Sequence, residues 1–171
     1  MELETGRLLL RKPKPEDAED YAALCNTEFV LRYNAMTPKD TEQVRQAFSR
    51  PREDILLLEL KERGVIIGEI SIADDSIRWG VDSKELSYWL GEPYSRQGYM
   101  KEALGAVIAC LFETQNMECV SARCFAPNVA SLALLKSLGF HQDGYVPRCV
   151  RGYDDEVFDD TLHSLFRKDV R

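Results

Sequence analysis

The residues with the most chemical promise lie between Glu85 and Leu104. An apolar run from Glu85 to Gly91 reads as a strand. It leads through Glu92-Pro93-Tyr94-Ser95-Arg96-Gln97 to Gly98, which opens a long helix. A helix N-terminus presents unpaired N–H groups and a partial positive charge, so it suits an anion. Gly98 lets the backbone come close to a bulky anion such as a pyrophosphate, and Arg96 and Lys101 add cationic charge beside it. The same pattern also describes a plain strand-to-helix turn whose glycine serves the chain alone. No G-x-G-x-x-G and no G-x-x-x-x-G-K-[ST] occurs, so neither a dinucleotide fold nor a P-loop is supported.

Other side chains narrow the chemistry. Asp154-Asp155-Glu156 with Asp159-Asp160 places five acids in seven residues. That is either a solvated hairpin or a negative rim that attracts a cationic amine or a basic peptide terminus. The five cysteines are scattered without a C-x-x-C, and there are only two histidines. A zinc site needs clustered thiolates and imidazoles, so no metal is expected, and the cysteines read as reduced core residues.

The elements that must position these groups follow from periodicity. Arg7 to Lys12 opens as a strand. Pro15-Glu16-Asp17 starts a helix, with Ala18, Tyr21, Ala22 and Cys25 on one face. A second helix begins near Thr37-Pro38 or at Asp40, and carries Val44, Ala47 and Phe48 inward. Ile55 to Leu60 and Val65 to Ile72 form a hairpin about Arg63-Gly64. Strict alternation places Ile66, Gly68, Ile70 and Ile72 on one face, and Ile67, Glu69 and Ser71 on the other. Ala73 to Lys84 reads as a loop before the strand at Glu85. Met100, Ala103, Leu104, Val107, Ile108 and Leu111 form one buried helical stripe. Glu118 to Cys124 is a strand, and Asn128 caps a helix that Gly139 stops. Two strands close the chain, the last from Val157 to Phe166. The order β-αα-βββ-α-β-α-ββ implies an α+β fold, a mostly antiparallel sheet with inserted helices.

The whole chain, 171 residues, is the size of one domain. At 44% hydrophobic and 30% charged, it has an ordinary globular composition. Its apolar runs fall far short of the ~20 residues of a membrane span. The acidic start Met1-Glu2-Leu3-Glu4 shows no secretory signal, which points to the cytoplasm. A net charge of −7 argues against a general nucleic-acid binder.

The stretch ELSYWLGEPYSRQGYMKEAL resembles the acyl-CoA-binding segment of the GCN5-related N-acetyltransferases (GNAT), and most closely the RimJ/RimL-like branch that acetylates ribosomal-protein N-termini. Asn128-Val129-Ala130-Ser131, followed by Leu138-Gly139-Phe140, resembles a second signature of that branch. The opening Thr5 to Arg11 and the close Arg151 to Asp154 agree. The resemblance implies a GNAT fold over residues 1–171, with about seven strands splayed in the middle and about four helices. It implies acetyl-CoA as co-substrate and a primary amine as acceptor, either a protein N-terminus or a small molecule. No nucleic-acid or membrane partner is implied, and a homodimer is left open.

The same resemblance implies a site. Leu90 would pair its backbone with the pantetheine arm of the cofactor. The N–H groups of Arg96, Gln97, Gly98, Tyr99, Met100 and Lys101 would hold its pyrophosphate. Asn128 would bond the pantetheine arm, and Ser131 would lie near the thiol, with the acid role falling to Ser131 or to solvent. Glu85 is the first candidate for the base that takes the amine proton, Glu69 the second, and Tyr88 could orient the amine. Each of these side chains also has a structural alternative: Leu90 and Tyr88 in the core, Asn128 as a helix cap, Ser131 as the partner of a local backbone group, the glutamates as solvated strand residues. Two departures stand out. Position 96 is usually glycine in this branch, so Arg96 must tolerate a glycine-like backbone. Leu135 stands where many relatives carry a tyrosine acid. The competing reading is a non-catalytic acyl-CoA-binding module.

Overall fold

Residues 1–170 are described by a computed structural model, in which the apolar runs assemble into one eight-stranded sheet. In chain order the elements are β1 (Leu3–Glu4), β2 (Leu8–Arg11), α1 (Ala18–Cys25), α2 (Glu28–Leu31) and α3 (Thr41–Phe48). Then come β3 (Ile55–Leu60), β4 (Val65–Asp74), β5 (Ser83–Leu90), α4 (Tyr99–Glu113) and β6 (Cys119–Phe125). Last are α5 (Val129–Ser137), β7 (His141–Arg151) and β8 (Val157–Phe166). The strands lie in the order β1-β2-β3-β4-β5-β6-β8-β7, and every neighbouring pair is antiparallel except β5 and β6.

The expected α+β class holds, with one strand and one helix more than the sequence suggested. β1 has two residues and α2 has four, too few for either to show a period. β4 and β5 also reach into the stretch read as a loop, up to Asp74 and from Ser83. The start of α3 is settled by Asp40, whose carboxylate accepts from the N–H groups of Glu42 and Gln43 at 2.9 and 3.1 Å.

The sheet buries both faces. On one, Leu56, Leu58, Ile67, Ile70 and Leu86 pack with Leu104, Val107 and Leu111 of α4 and Leu135 of α5. On the other, Tyr21, Val30, Val44 and Phe48 from α1, α2 and α3 cover Ile55, Leu57, Ile66 and Trp89. Strict alternation along β4 fails at one point. The register against β3 shifts between Leu58 and Glu59, so Gly68 lies opposite Leu58 but Ile66 lies opposite Glu59. This bulge moves Ile66 to the α1/α3 face and Ile67 to the α4 face.

The sheet opens in its middle. β5 and β6 pair from Ser83 with Cys119 to Leu86 with Ala122 and no further. Beyond that point β4 still holds β5 as far as Leu90, and β8 holds β6 as far as Phe125. The two strands therefore diverge. Gly68 sits opposite Leu90, and a Cβ there would lie 2.4 Å from the Trp89 carbonyl oxygen. A bare backbone is what lets β4 and β5 stay close at the point where β5 leaves β6. Trp89 is 7% exposed beneath α1, whereas Trp79, on the β4–β5 connection, is 97% exposed. Cys25, Cys119 and Cys124 are buried as expected of core residues, and Cys149 on β7 is exposed. No helix of the described residues is long and apolar enough to cross a membrane.

Candidate active site

A cleft of about 1260 Å³ occupies the gap between β5 and β6. One wall is the loop that enters α4. Gly98 caps this helix with φ of +81°, a left-handed conformation that glycine adopts without strain. Glu102 is the first residue whose N–H reaches back to the Gly98 carbonyl, at 3.0 Å. The N–H groups of Tyr99, Met100 and Lys101 precede any helical acceptor. Arg96 has φ of +59°, so it does hold a glycine-like backbone.

The loop is braced from the far side. Arg7 Nη1 donates to the Gln97 carbonyl at 2.9 Å, and its Nε donates to Glu102 at 2.7 Å. The guanidinium lies 4.3 Å from the centre of the Tyr99 ring. Thr5 adds a bond to Glu102 at 2.6 Å. This brace was invisible as such in the sequence, where Arg7 reads as the start of a strand.

Of the loop residues expected at the cofactor, Arg96, Gly98, Tyr99, Met100 and Lys101 line the cleft. The Tyr99 and Met100 side chains are buried in the core, so these residues offer a ligand their backbone N–H groups. Gln97 does not line the cleft. Its side chain folds back to the Pro93 carbonyl at 2.9 Å, because its carbonyl is held by Arg7 on the opposite side. Leu90 forms the other wall. The Gly91 N–H donates to the Ile67 carbonyl at 2.9 Å. In an antiparallel ladder that bond turns the N–H and C=O of Leu90 the other way, toward the open edge.

Paired residues share a face, and this sorts the polar side chains of the cleft. Tyr88 pairs with Ile70 and so faces α4 and α5. There its hydroxyl meets Ser131 Oγ at 2.7 Å, spanning the gap between β5 and α5. The Ser131 N–H donates to Asn128 Oδ1 at 3.1 Å, so Asn128 is the N-cap of α5 as well as a cleft residue. Leu135 is buried in the core, and the hydroxyl beside Ser131 comes from β5 instead.

Glu85 faces the α1/α3 side, in line with Trp89. Burial pushes its carboxyl above the usual range. Arg123 opposes the shift, and Asp75 and Asp160 add to it. Glu69 lies on the same face, buried, with one oxygen accepting from Tyr21 and the other from Ser71, each at 2.6 Å. Glu69 is thus occupied by two hydroxyl donors, and Glu85 is the freer carboxylate. The acidic run does not form one rim. Asp160 is buried and pairs with Arg123 at 2.8 Å. Asp159 accepts from Tyr145 and from the Arg148 N–H, fastening the irregular stretch of β7. Only Asp154, Asp155 and Glu156 remain at an exposed turn.

The sheet is splayed beside a helix N-terminus, with a carboxylate and a hydroxyl lining one cleft. Residues 7–141 match the family model described as "Acetyltransferase (GNAT) domain", and this match makes the arrangement the architecture of an acyl-group transferase. The chain is 28% identical to the uncharacterized N-acetyltransferase YoaA of Bacillus subtilis, over 91% of this chain and 94% of that protein. Its structure is similar to a GNAT-family acetyltransferase from Bacillus anthracis, with a TM-score of 0.87 at 20% identity, covering 98% of this chain and 99% of that one. It is also similar to the ribosomal-protein-S5-alanine acetyltransferase of Vibrio fischeri, with a TM-score of 0.85 at 21% identity, covering 100% and 99%. The chain belongs to the GNAT acetyltransferase family, as its loop and Asn128–Phe140 signatures imply. It is an N-acetyltransferase that uses acetyl-CoA.

Proposed function

We propose that this single domain transfers acetyl from acetyl-CoA to a protein N-terminal α-amine or a similar primary amine, by direct attack in a ternary complex. One observation carries this reading: Glu85, on one face of β5, and Ser131, on α5 beyond its other face, line the same cleft, which the free backbone edge of Leu90 also lines. The fit to the donor rests on this chain's own groups. The unpaired N–H groups at the α4 N-terminus, with Arg96 and Lys101, suit a pyrophosphate. The open edge at Leu90 suits an amide-bearing arm. Asn128 has Nδ2 to offer that arm, since its Oδ1 is committed to the cap.

When bound, acetyl-CoA supplies an acetyl thioester. Glu85 takes the proton of the attacking amine, directly or through water. The Leu90 N–H donates to the thioester oxygen as negative charge develops there. Ser131 Oγ–H donates to the sulfur. The α-amine acceptor is supported by the likeness to the Vibrio fischeri enzyme, whose name specifies a protein alanine.

The test is titration calorimetry with acetyl-CoA, followed by thiol release with a panel of N-terminal peptides and small amines. Binding with turnover on peptides bearing a free α-amine is the expected result. Binding with no turnover on any amine would leave only the non-catalytic module.

A further inference from the structure

The chemistry proposed above leaves Tyr88 without a role, although it is the nearest side chain to Ser131 across the gap. Its hydroxyl lies 2.7 Å from Ser131 Oγ. Burial raises its pKa well above that of an exposed phenol, so it keeps its proton throughout the working pH range. Tyr88 is held from the other side by the β4 ladder opposite Ile70, and Ser131 is held by its N–H bond to Asn128. The hydroxyl pair therefore joins two fixed elements.

A serine hydroxyl has one hydrogen. If Ser131 donates it to Tyr88, none is left for a ligand. If Tyr88 donates, the Ser131 hydrogen is free to point into the cleft, and the first bond polarises the second. We infer that Tyr88 is a positioning residue: its O–H donates to Ser131 Oγ, which directs the Ser131 O–H onto the departing sulfur. This rests on the placement of Ser131 at the thioester. In the step, the N–C bond forms and the C–S bond breaks, with its electron pair passing to sulfur. The amine proton passes toward Glu85, the sulfur takes a proton from water on release, and neither hydroxyl loses its own.

The experiment uses the full chain as wild type, Tyr88→Phe, Ser131→Ala and the double variant, with coenzyme A itself as probe. The thiol of bound coenzyme A is titrated by the ultraviolet absorbance of its thiolate. Wild type should lower that pKa relative to free coenzyme A by about one unit, the worth of one hydrogen bond. Tyr88→Phe should lose most of the shift, and the double variant should match Ser131→Ala. In turnover, Tyr88→Phe should lower kcat about 3- to 10-fold at unchanged KM for acetyl-CoA. The loss should shrink with an acetyl thioester of a more acidic thiol.

Equal thiol titrations in wild type and Tyr88→Phe would overturn the inference, as would additive effects in the double variant. If Tyr88→Phe does not fold, Ser131→Ala decides, because a thiol that keeps the wild-type shift in that variant also overturns it. Wild type that binds no coenzyme A would instead remove the reading of the cleft itself.

Discussion

Two residues of the cleft carry a stability cost in different ways. Glu85 has a raised carboxyl pKa because its charged form is poorly solvated. A carboxyl raised in the folded state favours folding below that value, and the contribution is lost as pH rises through it. Glu85→Gln should therefore be as stable as wild type or more so at neutral pH, by melting temperature. Its kcat/KM should fall by about 100-fold, with partial recovery at alkaline pH, where the free amine deprotonates unaided. Arg96 holds φ of +59°, a strain of about 1 kcal/mol for a non-glycine residue. Arg96→Gly should raise the melting temperature slightly. It should also weaken acetyl-CoA binding and flatten its salt dependence, because an exposed cation is removed. The Arg96 backbone was legible only through the family resemblance, in which position 96 is usually glycine, since an arginine by itself does not mark a left-handed position. The Tyr88–Ser131 bond was not, because its partners are 43 residues apart and no local spacing encodes a contact across a gap.

At the scale of elements, the cleft depends on one backbone contact. Gly68 allows β4 to hug β5 beside Leu90, where β5 has already lost β6. Gly68→Ala places a methyl group 2.4 Å from the Trp89 carbonyl oxygen, so the strands must part. The expected cost is about 1–3 kcal/mol, seen in denaturant unfolding, with faster amide exchange along Trp89 to Gly91. The stripe of α4, the meander from β3 to β5 and the cap of α5 all follow from local pattern. The parallel pairing of Glu85 with Ser121 does not, since it joins distant segments. Nor does the β4 bulge, because Ile66, Ile67 and Ile70 are equally apolar and either phase would bury them.

At the scale of the whole molecule, the N-terminal edge is tied to the rest by carboxylates. Burial raises the Asp17 carboxyl, but its bonds to Arg11 and to the Lys14 N–H more than offset this, so its pKa is lowered. The Glu102 carboxyl is likewise lowered, with Thr5 and Arg7 outweighing burial. A depressed carboxyl contributes stability above its unfolded pKa, about 4, and loses it as pH falls through the folded value. Acidification below about pH 4 should thus release this edge, and the Glu102 brace beneath the α4 loop with it. Melting temperature should fall between pH 5 and pH 3, as proton exchange at Arg7 and Leu8 accelerates.

The contrast between the two tryptophans makes the protein its own optical probe. The chain has only Trp79 and Trp89. The first stands in water, and the second lies against the Tyr21 ring at 5.2 Å on the wall of the cleft. Iodide should quench the red-shifted emission of Trp79 and spare the bluer emission of Trp89. Trp79→Phe then leaves one emitter, whose intensity should change as an amine acceptor fills the side of the cleft that Glu85 faces. Acceptors could in this way be ranked by fluorescence, without waiting for turnover.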